Sequence, residues 1–295
     1  MHEVDEGAVA ANLPPRSETE IPAPPPDMPA LYCLGPLQVA CGGRLRPKGW
    51  WKKSRELLAY LVAHPEGASK DRIMEELWPE EDPQRVQNLF ATAMSLIRRQ
   101  VRTTKDFRKY ILKVEDSWRL EEGAWWADAF EFSRLVSEAE RVDDSVVSVV
   151  KLRRALTLYR GDFCDDVYYP WAEPVRERFR NLFIRACARL AEMLLDAGEH
   201  EEALEVLDRA IAADPICEDL WRRAMSAEAS MGRRAAALDR YKKLKQILST
   251  ELDVEPDPET ESLALQISSS ELQAHRHHAV HGPESPLHPA AATVR

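Results

Sequence analysis

From position 86 to 101, apolar residues return every three or four positions. Val86, Leu89, Phe90, Ala93, Ile97 and Val101 fall on one stripe of a helix. The opposite face carries Gln84, Asn88, Ala91, Thr92, Ser95, Arg98, Arg99 and Arg102. Asp82 followed by Pro83 marks the start: the carboxylate accepts from unpaired N–H groups of the first turn, and proline there gives up no needed donor. The spacing therefore predicts an amphipathic helix over 82–102. Its outer face has small or amide side chains in the middle and arginines at the end.

The flanking patterns are shorter. Leu31, Tyr32 and Leu34, a Gly35-Pro36 break, Leu37 to Ala40, then Gly42-Gly43 and Arg44 to Arg46 predict a small antiparallel sheet turned by the glycine pair. A helix follows from Trp50 to Ala63, with Trp51, Leu57, Leu58, Leu61 and Val62 on one face, and it stops at His64-Pro65 and Gly67. Ser69 caps a second, short helix to Leu77, with Ile73, Met74 and Leu77 inward and Trp78-Pro79 as the stop. Beyond the long helix, Tyr110 to Val114 and Ser117 to Leu120 alternate around Glu115-Asp116 as a hairpin. A small sheet, three helices and a terminal hairpin make a winged helix–turn–helix. In that arrangement the third helix faces a DNA major groove and the hairpin lies beside the backbone.

Residues 121–131, with Gly123, Trp125, Trp126 and Asp128, read as a hinge whose aromatics dock the parts on either side. From Phe130 to Ile267 the pattern is helical and repetitive. Gly198 and Gly232 lie 34 residues apart, and the same offset links Ala203 to Ala237, Leu204 to Leu238, Leu207 to Tyr241 and Ala210 to Leu244. That period matches tetratricopeptide (TPR) repeats, with Trp221 at the aromatic start of a unit and Asp214-Pro215 ending the one before. An earlier hairpin, 132–141 and 146–159, follows the pattern loosely. Each hairpin buries its apolar face against a neighbour, so a short solenoid is expected. The fold class is mainly α with small β: a winged helix–turn–helix followed by an all-α, TPR-like region.

Composition divides the 295 residues further. Residues 1–30 hold seven prolines and a negative excess, which predicts a disordered leader. The domains are then 31–122 and 123–267, with a disordered Ser-, His- and Pro-rich tail over 268–295. The net charge is −10, yet the stretch 84–119 has nine basic and three acidic residues, a module suited to a polyanion on an otherwise acidic chain. Five scattered cysteines without C-x-x-C spacing read as free thiols in a reducing cytosol. No apolar run is long enough for a membrane span. His275, His277, His278 and His281 lack partners at metal spacing, so no metal or other cofactor is expected. No phosphate-cradling glycine loop or catalytic constellation stands at meaningful spacing, which argues against an enzyme.

The strings LGPLQV (34–39), SRELLAYLVAHPEG (54–67), SKDRIMEELWPEED (69–82) and YILKVEDSWRL (110–120), with Asn88, Ser95 and Arg98-Arg99 between them, resemble the winged helix of the bacterial antibiotic regulatory protein (SARP) family. ALTLYRGDF (155–163), WAEPVRERFRNL (171–182) and ALDRYKKLKQILSTELDVEPDPE (237–259) are similar to the bacterial transcriptional activation domain that follows it in that family. The resemblance implies a cytoplasmic, nucleoid-associated activator. It would bind direct repeats of double-stranded DNA side by side, as a homodimer, and recruit RNA polymerase through the σ factor and core subunits. Gln84, Asn88, Thr92 and Ser95 are then candidates for base edges, Arg98, Arg99 and Arg102 for phosphates, and Lys109, Lys113 and Arg119 for backbone contacts on or near the wing. One departure is that Ala91, Ala93 and Leu96 stand where relatives often carry polar or basic residues, which thins the base-reading set. The competing class is a TPR-type adaptor for a protein or ligand, with a degenerate winged helix.

Overall fold

The computed structural model describes residues 13–16, 21–45, 50–101 and 110–280, with 270–280 as backbone alone. It divides into two compact units, Met1–Glu199 and His200–Arg295. The first begins with β1 (Ala30–Tyr32), β2 (Gln38–Cys41), β3 (Arg44–Leu45), α1 (Lys52–Ala63), β4 (Ala68–Ser69), α2 (Lys70–Leu77) and α3 (Pro83–Val101). It continues with β5 (Ile111–Val114), β6 (Ser117–Leu120), β7 (Trp126–Ala127), α4 (Asp128–Arg141), α5 (Ser145–Leu158) and α6 (Ala172–Asp196). The second holds α7 (His200–Ala213), α8 (Glu218–Ser230), α9 (Arg234–Glu251) and α10 (Pro258–Val280). The described residues are thus mainly helical with two small sheets, ordered β3-β2-β1-β7 and β4-β6-β5.

The local signals act as the sequence predicts. Gly42 and Gly43 turn β2 into β3 at φ +62° and +67°, a conformation glycine reaches without a Cβ penalty. Ser69 Oγ accepts from the Arg72 amide at 3.2 Å, and Asp82 Oδ1 accepts from the Gln84 and Arg85 amides at 2.9 and 3.3 Å, so both caps form. Leu57, Leu58 and Leu61 of α1, Ile73 and Leu77 of α2, and Phe90, Ala93 and Ile97 of α3 close over one core. Met94 joins that core, whereas Leu89, expected on the stripe, is only half-buried at its edge.

The stretch read as a hinge holds a short strand, β7, and the first turn of α4. β7 pairs parallel with β1 (Ala30 with Trp126, Leu31 with Ala127), and the Trp126 amide donates to the Pro29 carbonyl at 3.0 Å. Trp125 is buried with its Nε1 donating to the Tyr110 carbonyl at 2.8 Å, and Trp126 packs on Tyr32. The end of the leader is ordered by this pairing, and Arg153 donates to the Pro14 carbonyl. Residues 1–12 and 17–20 of the leader lie outside the described residues. At the other end, α10 runs to Val280, past the point where the tail was expected to lose structure. No proline or glycine interrupts the sequence between Glu259 and His281, so nothing in the backbone stops the helix there.

A second set of bonds stitches the small sheet to the loop after α5. The Gly35 amide donates to Asp162 O at 3.0 Å, the Cys164 amide to Cys33 O at 2.7 Å, and the Arg160 amide to Leu34 O at 3.2 Å. Asp128, first residue of α4 and almost fully buried, accepts from the Cys33 and Leu34 amides at 2.6 and 3.2 Å and from Arg160 at 3.0 Å. Burial pushes its carboxyl up from the ordinary aspartate value, against the pull of those amides and Arg160.

In the second unit the repeat is visible in its hydrogen bonds. The Arg233 amide reaches back to Glu228 O at 2.8 Å and Gly232 to Ala229 O at 3.0 Å. Thirty-four residues earlier, in the first unit, the Glu199 amide reaches Leu194 O at 2.8 Å and Gly198 reaches Leu195 O at 3.0 Å. Gly198 and Gly232 sit at positive φ, +79° and +77° in that order, as this helix ending requires. Trp221 is buried with its Nε1 donating to Pro215 O at 2.9 Å, and Arg240 bridges Asp208 and Glu228.

Removing the Asp128 carboxylate leaves two buried amides without acceptors. Asp128→Ala is expected to lose about 2–6 kcal/mol of stability at ~1–3 kcal/mol per group, and Asp128→Asn distinctly less. Urea unfolding measures both, and an Asp128→Ala chain as stable as the parent would remove this carboxylate as the tie.

Candidate nucleic-acid interface

The buried and exposed residues of α3 separate along its length. Val86, Phe90, Ala93, Met94, Ile97 and Val101 face the core, while Gln84, Asn88, Ala91, Thr92, Ser95, Arg98 and Arg99 are exposed. Gln84, Asn88, Ala91 and Ser95 recur at intervals of four, three and four, so they form one row, with Thr92 and Arg99 on one flank and Arg98 on the other. Ala93 is fully buried and Leu96 half-buried, so neither belongs to this row. The thinning expected from Ala91, Ala93 and Leu96 reduces to Ala91 alone. A methyl group there leaves room for close approach.

Arg85, on the same helix, is paired with Glu81 at 3.2 Å. Among the described residues, no carboxylate is placed on Arg98 or Arg99. Their cationic ends lie in the last turn, where the helix dipole favours positive charge. Arg102 and Lys109 lie outside the described residues.

The wing is β5 and β6, in register from Ile111 with Leu120 to Val114 with Ser117, turned by Glu115 at φ +53° and Asp116. Lys113 and Arg119 are exposed on it, Lys113 in an ion pair with Asp116 at 3.3 Å. A third strand completes this sheet: β4 pairs with β6, Ala68 with Trp118 and Ser69 with Ser117. Because β4 leads directly into α2, this pairing fixes the wing against the helices. Gly67 makes the approach possible. It sits at φ +99°, and a Cβ there would meet Ser117 Cβ and the Trp118 carbonyl oxygen at 3.2 Å.

Two residues at the junction of wing and α3, Trp118 and Lys70, were not singled out by the sequence reading. Trp118 packs edge-on against Phe90 at 5.5 Å, with the Arg98 guanidinium 5.9 Å from its ring centre. Lys70 lies 5.4 Å from the Phe90 ring centre and donates to Gln87 on α3. Trp118 in a wing strand and Lys70 just after a cap were readable as residue types. Their meeting on one flank of α3 depends on the β4–β6 pairing, which no local pattern announces.

The described residues of this arrangement offer amide, hydroxyl and guanidinium groups. Among the described residues, no group of three or more His, Cys, Asp or Glu side chains could hold a metal ion, and no helix is long and apolar enough to cross a membrane. His281 and the side chains of His275, His277 and His278 lie outside what is described.

Residues 127–268 match the family model of the bacterial transcriptional activator domain. Over 238 residues, 79% of the chain, the sequence is 28% identical to the regulatory protein AfsR of Streptomyces coelicolor, covering 24% of that protein. It is 25% identical to the transcriptional regulatory protein MoaR1 of Mycobacterium tuberculosis over 78% of this chain and 76% of that one. It is 27% identical to the regulatory protein DnrI of Streptomyces peucetius over 75% and 83%. The chain thus matches about a quarter of AfsR and about three quarters or more of the two shorter relatives. A solved structure of Mycobacterium tuberculosis EmbR in complex with a low-affinity phosphopeptide has a similar fold, with TM-score 0.67 and 22% identity over 85% of this chain and 70% of that one.

Gly67→Ala carries both a backbone penalty and a close contact. It is expected to lower stability by about 1–3 kcal/mol. Amide hydrogen exchange in β6 should rise at the same time, and unchanged protection of β6 would show that the wing does not hang on this glycine.

Proposed function

We propose that this chain is a regulator of the antibiotic regulatory protein (SARP) type, in which residues 31–122 bind promoter DNA and residues 123–267 act on the transcription machinery. The observation that carries this reading is the exposed face of α3, polar along its middle and ending in two arginines without carboxylate partners among the described residues. α3 enters the major groove of a direct repeat. Asn88, Thr92, Ser95 and Gln84 meet base edges, and Arg98, Arg99 and Arg102 take phosphates. The wing, through Lys113, Arg119 and Lys109, lies along the backbone. Lys113 exchanges Asp116 for a phosphate as it docks.

Phosphate neutralisation supplies most of the affinity and the row on α3 supplies the preference. Protomers side by side on direct repeats then present their helical regions to the σ factor and core subunits of RNA polymerase. Such a protein works at the nucleoid, in the cytoplasm, and performs no catalysis itself.

Affinity for duplex DNA should fall steeply with salt. Arg98→Ala and Arg99→Ala should each shallow the slope of log K against log salt by about 0.9, the value for one phosphate. Asn88→Ala should instead leave the slope alone and relax the preference at one base pair, by about 1–3 kcal/mol. Slopes unchanged in both arginine variants would take these side chains out of the DNA contact.

A further inference from the structure

Four side chains from three elements meet at the flank of α3 that faces the wing. Phe90 of α3 and Trp118 of β6 form an edge-to-face ring pair with centres 5.5 Å apart and planes at 69°. Each ring has one cation within reach of its face. Lys70 Nζ of α2 lies 5.4 Å from the centre of Phe90, and the Arg98 guanidinium of α3 lies 5.9 Å from the centre of Trp118.

The rings themselves are poorly placed to touch a duplex. Phe90 is 4% exposed and Trp118 is half-buried. The Trp118 indole nitrogen is buried and has no hydrogen-bond partner among the described residues, so what this side chain supplies is its ring. A cation over an aromatic face is attracted by the ring quadrupole, and the flat guanidinium keeps its N–H edges free while it lies there. Exposed arginines otherwise sample many rotamers, and holding one of them still removes part of the entropy lost on binding.

We propose that the Phe90–Trp118 pair is a positioning seat: it holds Arg98, and with it Lys70, in the orientation that meets the DNA backbone, although neither ring contacts DNA. This rests on the DNA-binding reading and extends it to residues of the wing, α2 and the inner flank of α3. Lys70 becomes a further phosphate-contact residue. It gives up its bond to Gln87 when a phosphate arrives, which frees the Gln87 carboxamide on the exposed face.

The test keeps the shape of the seat and changes only its electrostatics. Tryptophan at 118 is replaced in the full-length chain by mono-, di- and trifluorinated tryptophan, and binding to a fluorescent mixed-sequence duplex is titrated across salt concentrations. Affinity should fall stepwise with each fluorine, to a total of roughly two- to fivefold, the range of an exposed cation–π contact. In an Arg98→Ala background the same series should be flat. Trp118→Phe should retain most of the affinity and Trp118→Met should lose it, with thermal melting recorded for each.

A flat fluorine series in the parent chain, or an equal decline in the Arg98→Ala background, would overturn the seat. Lys70→Ala with a parental salt slope would remove Lys70 from it. Absence of any salt-dependent binding by the unmodified chain is a different failure, and would count against the DNA-binding reading as a whole.

Discussion

A single carboxylate brings together the parts of the first unit. Asp128 opens α4, and its two oxygens take the amides of Cys33 and Leu34 just beyond β1 and the guanidinium of Arg160 beyond α5. Such a group is costly to bury unless its partners are complete, and here they come from segments about 95 and 32 residues away. The constraint is mutual: β1 must end where it does, β7 must lie parallel beside it, and the loop after α5 must fold back to supply Arg160. The same loop holds the sheet from its other side, where Asp166 accepts from the Leu37 amide at 2.7 Å and from Arg55 of α1 at 3.0 Å. The winged helix and α4–α6 are therefore one compact body.

That body sets the geometry of the face on α3. The helix is held from behind by α1, including a bond from Ser54 Oγ to the Ala93 carbonyl at 3.4 Å, and from the side by the wing sheet through Phe90 and Trp118. A rigid support matters for DNA recognition because contacts to base edges are short and directional, so error in the helix axis is lost affinity and lost preference. The cations at its end need less precision, since phosphate attraction acts over a Debye length of about 8–10 Å. In the proposed DNA-binding role, the division of labour between the middle of α3 and its C-terminal turn follows from that difference in range.

The helical region rests on different physics. Small residues at helix crossings, such as Ala203, Ala210, Ala224 and Ala237, let helices approach closely, and glycine at positive φ turns the chain at each repeat. The ion pairs Arg233 with Glu201 and Arg240 with Asp208 each span 32 residues and tie corresponding helices of neighbouring repeats at the surface. Solvent and salt screen exposed pairs of this kind, so the repeat owes its stability to the apolar crossings and not to its charges.

What the sequence determined by itself was everything encoded within a few residues or one repeat. The caps at Ser69 and Asp82, the Gly42-Gly43 turn, the two faces of α3, the wing hairpin and the 34-residue period are local patterns, and local patterns have one physical reading when propensity and periodicity agree. The family resemblance extended that reading to the order of the two regions. Only the tertiary structure decided that the hinge holds a strand, that Leu96 is half-buried off the outer face of α3 while Met94 joins the core, and that Trp118 and Lys70 belong beside Arg98. It also set the extent of the first compact unit at Glu199. These outcomes depend on pairings between segments far apart in the chain, β1 with β7, β4 with β6, and Asp128 with Cys33 and Arg160. No periodicity records such a pairing, because each partner's own neighbourhood looks the same whether or not the other arrives.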